Sequence, residues 1–152
     1  MQLSPHFALS ELVASQKAAQ LGIDNTPPPE LLPRLVRVAE MLERIRSTLN
    51  VPITVTSGYR CNALNTAVGS RNTSDHPQGH AVDFVAPGFG TPTEIAKILA
   101  PLVDALGIGQ ILLEGVKGKQ WVHVSTHAPE NAINRVLTIT DAGTVPGIIG
   151  LA

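Results

Sequence analysis

The hydrophobic pattern of the N-terminal third predicts two helices. Apolar residues between positions 9 and 21 recur at the spacing of a short helix, which we expect Ser10 to cap and Gly22 to end. A longer helix is predicted from about Pro29 to about Leu49, because apolar positions recur every three or four residues with charged residues between them. Pro33 fits this helix because it falls in the first turn, where its missing N–H has no partner to lose.

After Asn50 the pattern changes to short segments. Strands are predicted at 53–56, 81–85, 110–114, 121–125 and 135–140, with a loop over 115–120 joining the third and fourth, and a glycine-rich tail after the last. A helical turn or two is expected over 61–68, and a loop over 69–79. A third helix fits 92–106, with Thr91 or Thr93 at its start and Gly107 at its end.

This order of elements predicts the α+β class, with N-terminal helices packed on a small antiparallel sheet that has one face free to carry a site. We expect a single domain over residues 1–152, with a helical part over about 1–50, a motif-bearing sheet part over 51–127 and a C-terminal extension over 128–152.

Composition and charge exclude several classes of function. The chain has 152 residues, of which 43% are hydrophobic and 15% charged, and its net charge is 11 − 12 = −1. Such a balance is typical of a folded domain and argues against non-specific binding to nucleic acid. Apolar runs are too short for membrane insertion, and the N-terminus lacks the pattern of a signal peptide, so we expect synthesis in the cytoplasm. Cys61 is the single cysteine and cannot form an internal disulfide.

The candidate chemistry lies in two histidine-bearing segments, 74–84 and 120–125. His76, Asp83 and His123 offer two imidazoles and a carboxylate, a ligand set that suits a catalytic zinc site with one open position. Strand alternation places His123 on the same face as Trp121 and Ser125, where it can point into a cleft.

Each of these residues also has a purely structural interpretation. His76 can be a loop histidine, Asp83 a turn or capping residue, and His123 a core histidine. We interpret His80 as a surface residue or a neighbour of the ligands, because Pro77 and Gly79 disfavour the helix that would align it with His76. His127 and His6 are expected to be bystanders.

Three ordered motifs then narrow the interpretation: SGYR at 57–60, S-x-H-x-x-G-x-A-x-D at 74–83 and WVHVS at 121–125. Together they resemble the family of zinc D-Ala-D-Ala carboxypeptidases and L-alanyl-D-glutamate endopeptidases. The small, phage-endolysin-like members, which often open with a segment similar to FALSEL at 7–12, are the most similar. The resemblance extends from Phe7 to Ser125.

The resemblance implies roles for individual residues. His76, Asp83 and His123 match the metal ligands. Arg60 matches an arginine that contacts substrate near the scissile carbonyl, where a fixed guanidinium would stabilise an oxyanion or hold a carboxylate. The alternative is that Arg60 has only a structural role in a turn. Ser74 matches a serine that binds substrate or steadies its loop, and we predict that Trp121 also binds substrate.

The sequence departs from the family pattern at the general base. Many members carry an acidic residue three positions before the last histidine, and that position is Gln120 here. Glu114 is the best substitute, provided that it pairs with Trp121 across the predicted hairpin, because a register slip of one residue would turn it away. Its structural alternative is a solvated residue at a strand end. Cys61 matches no family role and has no adjacent base in sequence.

The resemblance implies a Zn²⁺-dependent peptidase in which a metal-activated water attacks the peptide bonds of bacterial peptidoglycan, and a carboxylate passes the water's proton to the leaving amine. We expect a monomer that acts at the bacterial cell wall, as a phage lysis protein would, with Glu114 and Arg60 in catalysis. The alternatives are a non-catalytic cell-wall-binding or structural module with a structural zinc, and a zinc-independent interaction domain. The sequence leaves open which peptide bond is cleaved.

Overall fold

The N-terminal segment differs from the predicted single helix. A computed structural model describes residues 1–71 and 73–150, in which β1 (Gln2–Ser4) and β2 (Phe7–Ala8) precede two short helices, α1 (Leu9–Val13) and α2 (Gln16–Leu21). Ser10 is not the cap: the Glu11 carboxylate accepts a hydrogen bond from the Ala8 N–H at 2.7 Å. Ser15 interrupts the helix because its hydroxyl caps α2, accepting from the Ala18 N–H. Gly22 ends α2 with a positive φ of 65°, as predicted.

The long amphipathic helix is confirmed as α3 (Leu32–Leu49), preceded by a 3-10 turn at Pro29–Leu31. Its apolar face supplies seven buried residues to the core: Leu35, Val38, Ala39, Met41, Leu42, Ile45 and Leu49. Burial of this face explains why the helical periodicity was so clear in the sequence.

The remaining helices are shorter than the pattern predicted. α4 (Asn62–Ala67) is confirmed. The helix predicted over 92–106 is divided into α5 (Pro92–Leu99), a 3-10 turn at Ala100–Leu102 and α6 (Val103–Leu106). Pro101 accounts for the break, because proline lacks an N–H and its ring displaces the preceding turn. Thr91 caps α5 and Gly107 ends α6, in agreement with the prediction.

Six strands form the main sheet, in the order β3-β4-β6-β5-β7-β8. Their bounds are Thr54–Ser57 (β3), Ala81–Val85 (β4), Gln110–Val116 (β5), Lys119–Ser125 (β6), Val136–Thr140 (β7) and Gly143–Pro146 (β8). The predicted loop over 115–120 is wrong, because Val116 pairs with Lys119 and the turn is only Lys117 and Gly118, both with positive φ. β8 lies in the segment predicted as a tail, and all four of its residues are exposed.

The sheet is mixed rather than antiparallel. Every neighbouring pair is antiparallel except β5 and β7, which run parallel with Ile111 opposite Val136. After β6 the chain passes a 3-10 turn at Ala132–Arg135 and starts β7 beside the beginning of β5. The C-terminal segment therefore extends the sheet on the side away from β4.

The two faces of the sheet have different roles. Alternate residues of β4, β5 and β6 belong to the same buried core as α3 and α5, among them Val82, Phe84, Ile111, Leu113, Val122 and Val124. The intervening residues, which include Asp83, Glu114 and His123, project from the opposite face. Among the described residues no helix is long and apolar enough to cross a membrane.

Candidate active site

The sheet and one loop bring His76, Asp83 and His123 together. Asp83 on β4 lies directly opposite His123 on β6, and His76 comes from the loop before β4. One ligand atom from each residue lies within 4.8 Å of the other two, and all three side chains are buried. The predicted ligand set is thus assembled in space, although its members are up to 47 positions apart in sequence (123 − 76).

A backbone carbonyl fixes the orientation of His76. Its Nδ1 lies 2.7 Å from the carbonyl oxygen of Gly58, so the Nδ1–H donates to that oxygen and Nε2 carries the lone pair. This Nε2 faces Oδ1 of Asp83 at 3.4 Å. Two buried acceptors directed at each other repel unless a cation or a proton lies between them, so the arrangement suits a metal ion.

His123, on β6, is the third member of the group. Its Nδ1 lies 2.9 Å from Oδ1 of Asp83, and its ring meets that of His76 edge to face at 5.1 Å between centroids. Two imidazoles and one carboxylate match the ligands that zinc takes in catalytic sites, where the fourth position stays open. The residues present therefore fit a zinc ion.

Burial and charge shift the pKa values of all three groups, and although burial alone would lower the pKa of His123, its hydrogen bond to Asp83 and the negative charge of Asp83 raise it. Burial lowers the pKa of His76 below its usual value of 6.5, against the opposing effect of Asp83. Burial alone would raise the pKa of Asp83, but the charges and hydrogen bonds of the two histidines outweigh it and hold this pKa well below its usual range. Asp83 is therefore a carboxylate, the form that binds a cation.

Glu114 lies beside this group on β5. It is directly opposite Trp121 on β6, the register on which its predicted role depends, and its Oε1 is 3.8 Å from Nδ1 of His123. Burial, together with the negative charge of Asp83, raises the pKa of Glu114 to about 7. A carboxyl group with this pKa can both accept and release a proton near neutral pH.

Arg60 follows β3 at the edge of the same group. Its guanidinium donates to Ser57 Oγ at 3.3 Å, and its buried Nε has no partner among the described residues. Burial lowers the pKa of Arg60, while the negative charges of Asp83 and Glu114 oppose this shift. The guanidinium thus lines the same cleft as the candidate metal ligands, with its buried Nε–H unpaired among the described residues.

Ser74 and Trp121 also border the site. Ser74 Oγ accepts a hydrogen bond from the His76 N–H at 3.2 Å, which steadies the loop before β4. The indole Nε1 of Trp121 is buried, and its N–H lies near the Glu114 carboxyl group, whose pKa it lowers. Both residues line a cleft of about 880 Å³ that also contains the three candidate ligands, Arg60 and Glu114.

Asp75 is a residue that sequence analysis missed. Its carboxylate accepts a hydrogen bond from Ser125 Oγ at 2.8 Å and lies 3.4 Å from Nδ1 of His127. These contacts join the loop that carries His76 to the end of β6. The only signal in the sequence was its position directly before His76.

The other histidines lie outside the candidate metal group. His80 stacks on His127 at 5.3 Å between ring centroids, and the His127 side chain is 60% exposed at the rim of the cleft. His6 has a partner that the sequence did not reveal, Glu43 on α3, at 2.7 Å. Cys61 is a free thiol, half buried at the start of α4.

Comparison with known protein families identifies the family of this chain. The family model described as peptidase M15 matches residues 5–125, which include all three candidate ligands, Arg60 and Glu114. The chain belongs to the M15 peptidase family. No curated protein sequence matches the chain. Members of the M15 family are metal-dependent peptidases, and membership therefore implies a metallopeptidase.

Proposed function

We propose that this M15 chain is a zinc-dependent peptidase that hydrolyses the stem peptides of bacterial peptidoglycan. The observation that carries the proposal is the buried group of His76, Asp83 and His123, with the Glu114 carboxyl group 3.8 Å from His123. A metal site with a proton acceptor beside it and an open cleft in front of it is an arrangement suited to hydrolysis.

His76 Nε2, Asp83 Oδ1 and His123 Nδ1 would hold the zinc ion. A zinc ion held there would polarise a peptide carbonyl and make water more acidic. The Gly58 carbonyl keeps His76 in the tautomer that leaves Nε2 free. Asp75 and Ser125 hold the His76 loop against β6. The positions of the ligands thus depend on hydrogen bonds outside the group itself.

Glu114 takes the role of general base. Its carboxylate accepts a proton from the attacking water and donates it to the amine that leaves, a role that suits its raised pKa of about 7. Arg60 lies near Glu114 and Asp83 and lines the cleft, and its guanidinium donates to the carbonyl oxygen under attack or to a substrate carboxylate. Ser74 donates a hydrogen bond to the peptide from the cleft wall, and the Trp121 side chain packs against the peptide there.

The second candidate function is a non-catalytic, cell-wall-binding or structural module whose zinc only stabilises the fold. Gln120 favours it, because an amide stands where many relatives have an acid. The two functions make different predictions for Glu114→Gln: this substitution abolishes a peptidase activity and leaves a structural module unchanged.

The experiment is digestion of purified peptidoglycan by the zinc-loaded protein, followed by mass spectrometry of the products. New termini identify the bond and decide between carboxypeptidase and endopeptidase action. Glu114→Gln and His76→Ala are the inactive comparisons, and Glu40→Gln, an exposed position on α3, is the matched control. Bound zinc without any cleavage would refute the proposed peptidase activity.

We also propose that the protein acts as a monomer at the cell wall, as a lysis protein.

A further inference from the structure

The hairpin β7–β8 contributes to the cleft although it lies beyond the family match. The match ends at residue 125, whereas Ile139 on β7 and Thr144 on β8 line the same cleft as the candidate ligands. Part of the cleft wall is therefore built by residues that the family model does not describe.

The register of the sheet sets how far this wall lies from Glu114. Trp121, Glu114, Ile139 and Thr144 lie opposite one another on β6, β5, β7 and β8, in one row across the sheet. Residues opposite one another project from the same face, and neighbouring strands are about 4.8 Å apart. Ile139 is on the strand next to Glu114, and Thr144 is on the strand after that. A peptide bound along this row advances about 3.5 Å per residue, which is close to the spacing between strands. Ile139 therefore lies where the side chain next to the scissile bond would be placed.

Aliphatic side chains line the cleft at the end formed by β5 and β7. Leu112 and Val116 on β5 line the cleft together with Ile139. Arg60 lies beyond the opposite edge of the row, because it follows β3, the edge strand farthest from β8. A carboxylate of the peptide is therefore drawn toward Arg60, and an uncharged alkyl side chain fits the hairpin end.

We propose that Ile139, with Leu112 and Val116, forms an aliphatic subsite for the side chain of the substrate residue next to the scissile bond, on the side away from Arg60. The subsite rests on the proposed function, because it takes Glu114 and the zinc ligands as the place of cleavage. Its ligand is a small alkyl side chain, such as the methyl group of alanine.

The test uses the pentapeptide L-Ala-γ-D-Glu-L-Lys-D-Ala-D-Ala and three analogues, each with one alanine replaced by glycine. The wild-type protein, loaded with zinc, is expected to lose about tenfold in kcat/KM, mainly through KM, for the analogue that lacks the methyl group in the subsite. Ile139→Ser is expected to abolish this preference for alanine by raising the KM of the alanine peptide to that of the glycine analogue.

Val145→Ser is the matched control. Val145 is next to Thr144 and 40% exposed, and it projects from the other face because it pairs with Thr138. It should keep the full preference for alanine. If Ile139→Ser does not fold, Ile139→Val replaces it and should retain part of the preference. An alanine preference that persists unchanged in the Ile139 variants would overturn the subsite.

A binding measurement separates this proposal from the proposed function. If the wild-type protein cleaves none of the peptides, the peptidase proposal fails, and the subsite is then judged by methyl NMR of the zinc-loaded protein. The Ile139 δ1-methyl signal, identified by its loss in Ile139→Val, should shift on addition of the pentapeptide and shift less with one glycine analogue. No shift with any peptide refutes the subsite.

Discussion

Glu114 and Trp121 lie directly opposite each other in the β5–β6 hairpin, and this register places a carboxyl group beside His123. Gln120, the neighbour of Trp121, pairs instead with Gly115 and projects from the other face of the sheet. The acidic group next to the candidate zinc site thus comes from β5 and not from position 120 on β6.

If Glu114 is the general base, Glu114→Gln lowers kcat by about 10²–10⁴-fold, because the amide cannot accept a proton. Zinc content should stay unchanged, since Glu114 is not among the candidate ligands. Steady-state kinetics on the peptidoglycan pentapeptide measure kcat, and metal analysis of the same sample measures the zinc content. Glu40→Gln should match the wild-type protein. Equal rates for wild type and Glu114→Gln would assign the base to another group.

Removal of a candidate ligand should abolish zinc binding. His76→Ala leaves two ligands of three, so we expect the content to fall from roughly one zinc ion per chain to a small fraction of that. Metal analysis after dialysis provides the measurement. His80→Ala and His127→Ala, which remove histidines outside the group, should retain the metal. Retention of zinc by His76→Ala would place the ion elsewhere.

Gly58 should be sensitive to even a methyl group. A Cβ at this position would overlap the Leu12 carbonyl oxygen, to which the neighbouring Tyr59 N–H donates. We expect Gly58→Ala to lower the free energy of unfolding by about 1–3 kcal/mol. Since the Gly58 carbonyl orients His76, zinc affinity should also fall, by about 10–100-fold.

The measurements for Gly58→Ala are denaturant unfolding and competition with a zinc chelator. Gly88→Ala is the control, because a Cβ there would make only ordinary contacts with Val51. A stable Gly58→Ala protein with wild-type zinc affinity would show that the carbonyl does not determine the orientation of His76.

Glu43 should make the free energy of unfolding depend on pH. Its carboxylate accepts hydrogen bonds from Ser4 Oγ at 2.6 Å and from the His6 N–H at 2.7 Å, and it contacts His6 Nδ1. Burial alone would raise the pKa of Glu43, but these contacts lower it below the usual 4.5. The stabilisation of the folded state by the Glu43 carboxylate is therefore complete above about pH 5. It is lost as the pH falls through the lowered pKa of Glu43.

The variant Glu43→Gln tests this dependence. It should unfold about 1 kcal/mol more easily than the wild-type protein at pH 6, and the difference should vanish toward pH 3. Urea unfolding at a series of pH values provides the curve, with Glu40→Gln on the same helix as the control. A difference that grows as the pH falls would contradict the assigned direction.

Sequence analysis was most successful where the signal is local. α3 was predicted because its apolar face repeats along one helix, and the β4 bounds were predicted because the strand is bordered by turn residues. The register that brings Glu114 opposite Trp121, on which the predicted role of Glu114 depends, is confirmed. The two-residue turn was missed, because Lys117 gives no hint of its positive φ.

The features that were missed depend on contacts distant in sequence. The parallel pairing of β5 with β7 joins Ile111 to Val136, and neither strand carries a mark of its partner. The contact between His76 and the Gly58 carbonyl likewise spans 18 positions and involves a backbone atom that every residue possesses. Such contacts follow from the assembled sheet and not from any residue type.

The outermost strand, β8, has a consequence for association between molecules. It is exposed along all four residues and ends at Pro146, which lies opposite Leu137. An exposed strand edge is a template on which a strand from another molecule can pair. Proline has no N–H to offer such a strand, so Pro146 limits the length of edge available for intermolecular pairing and protects the hairpin that borders the cleft from aggregation.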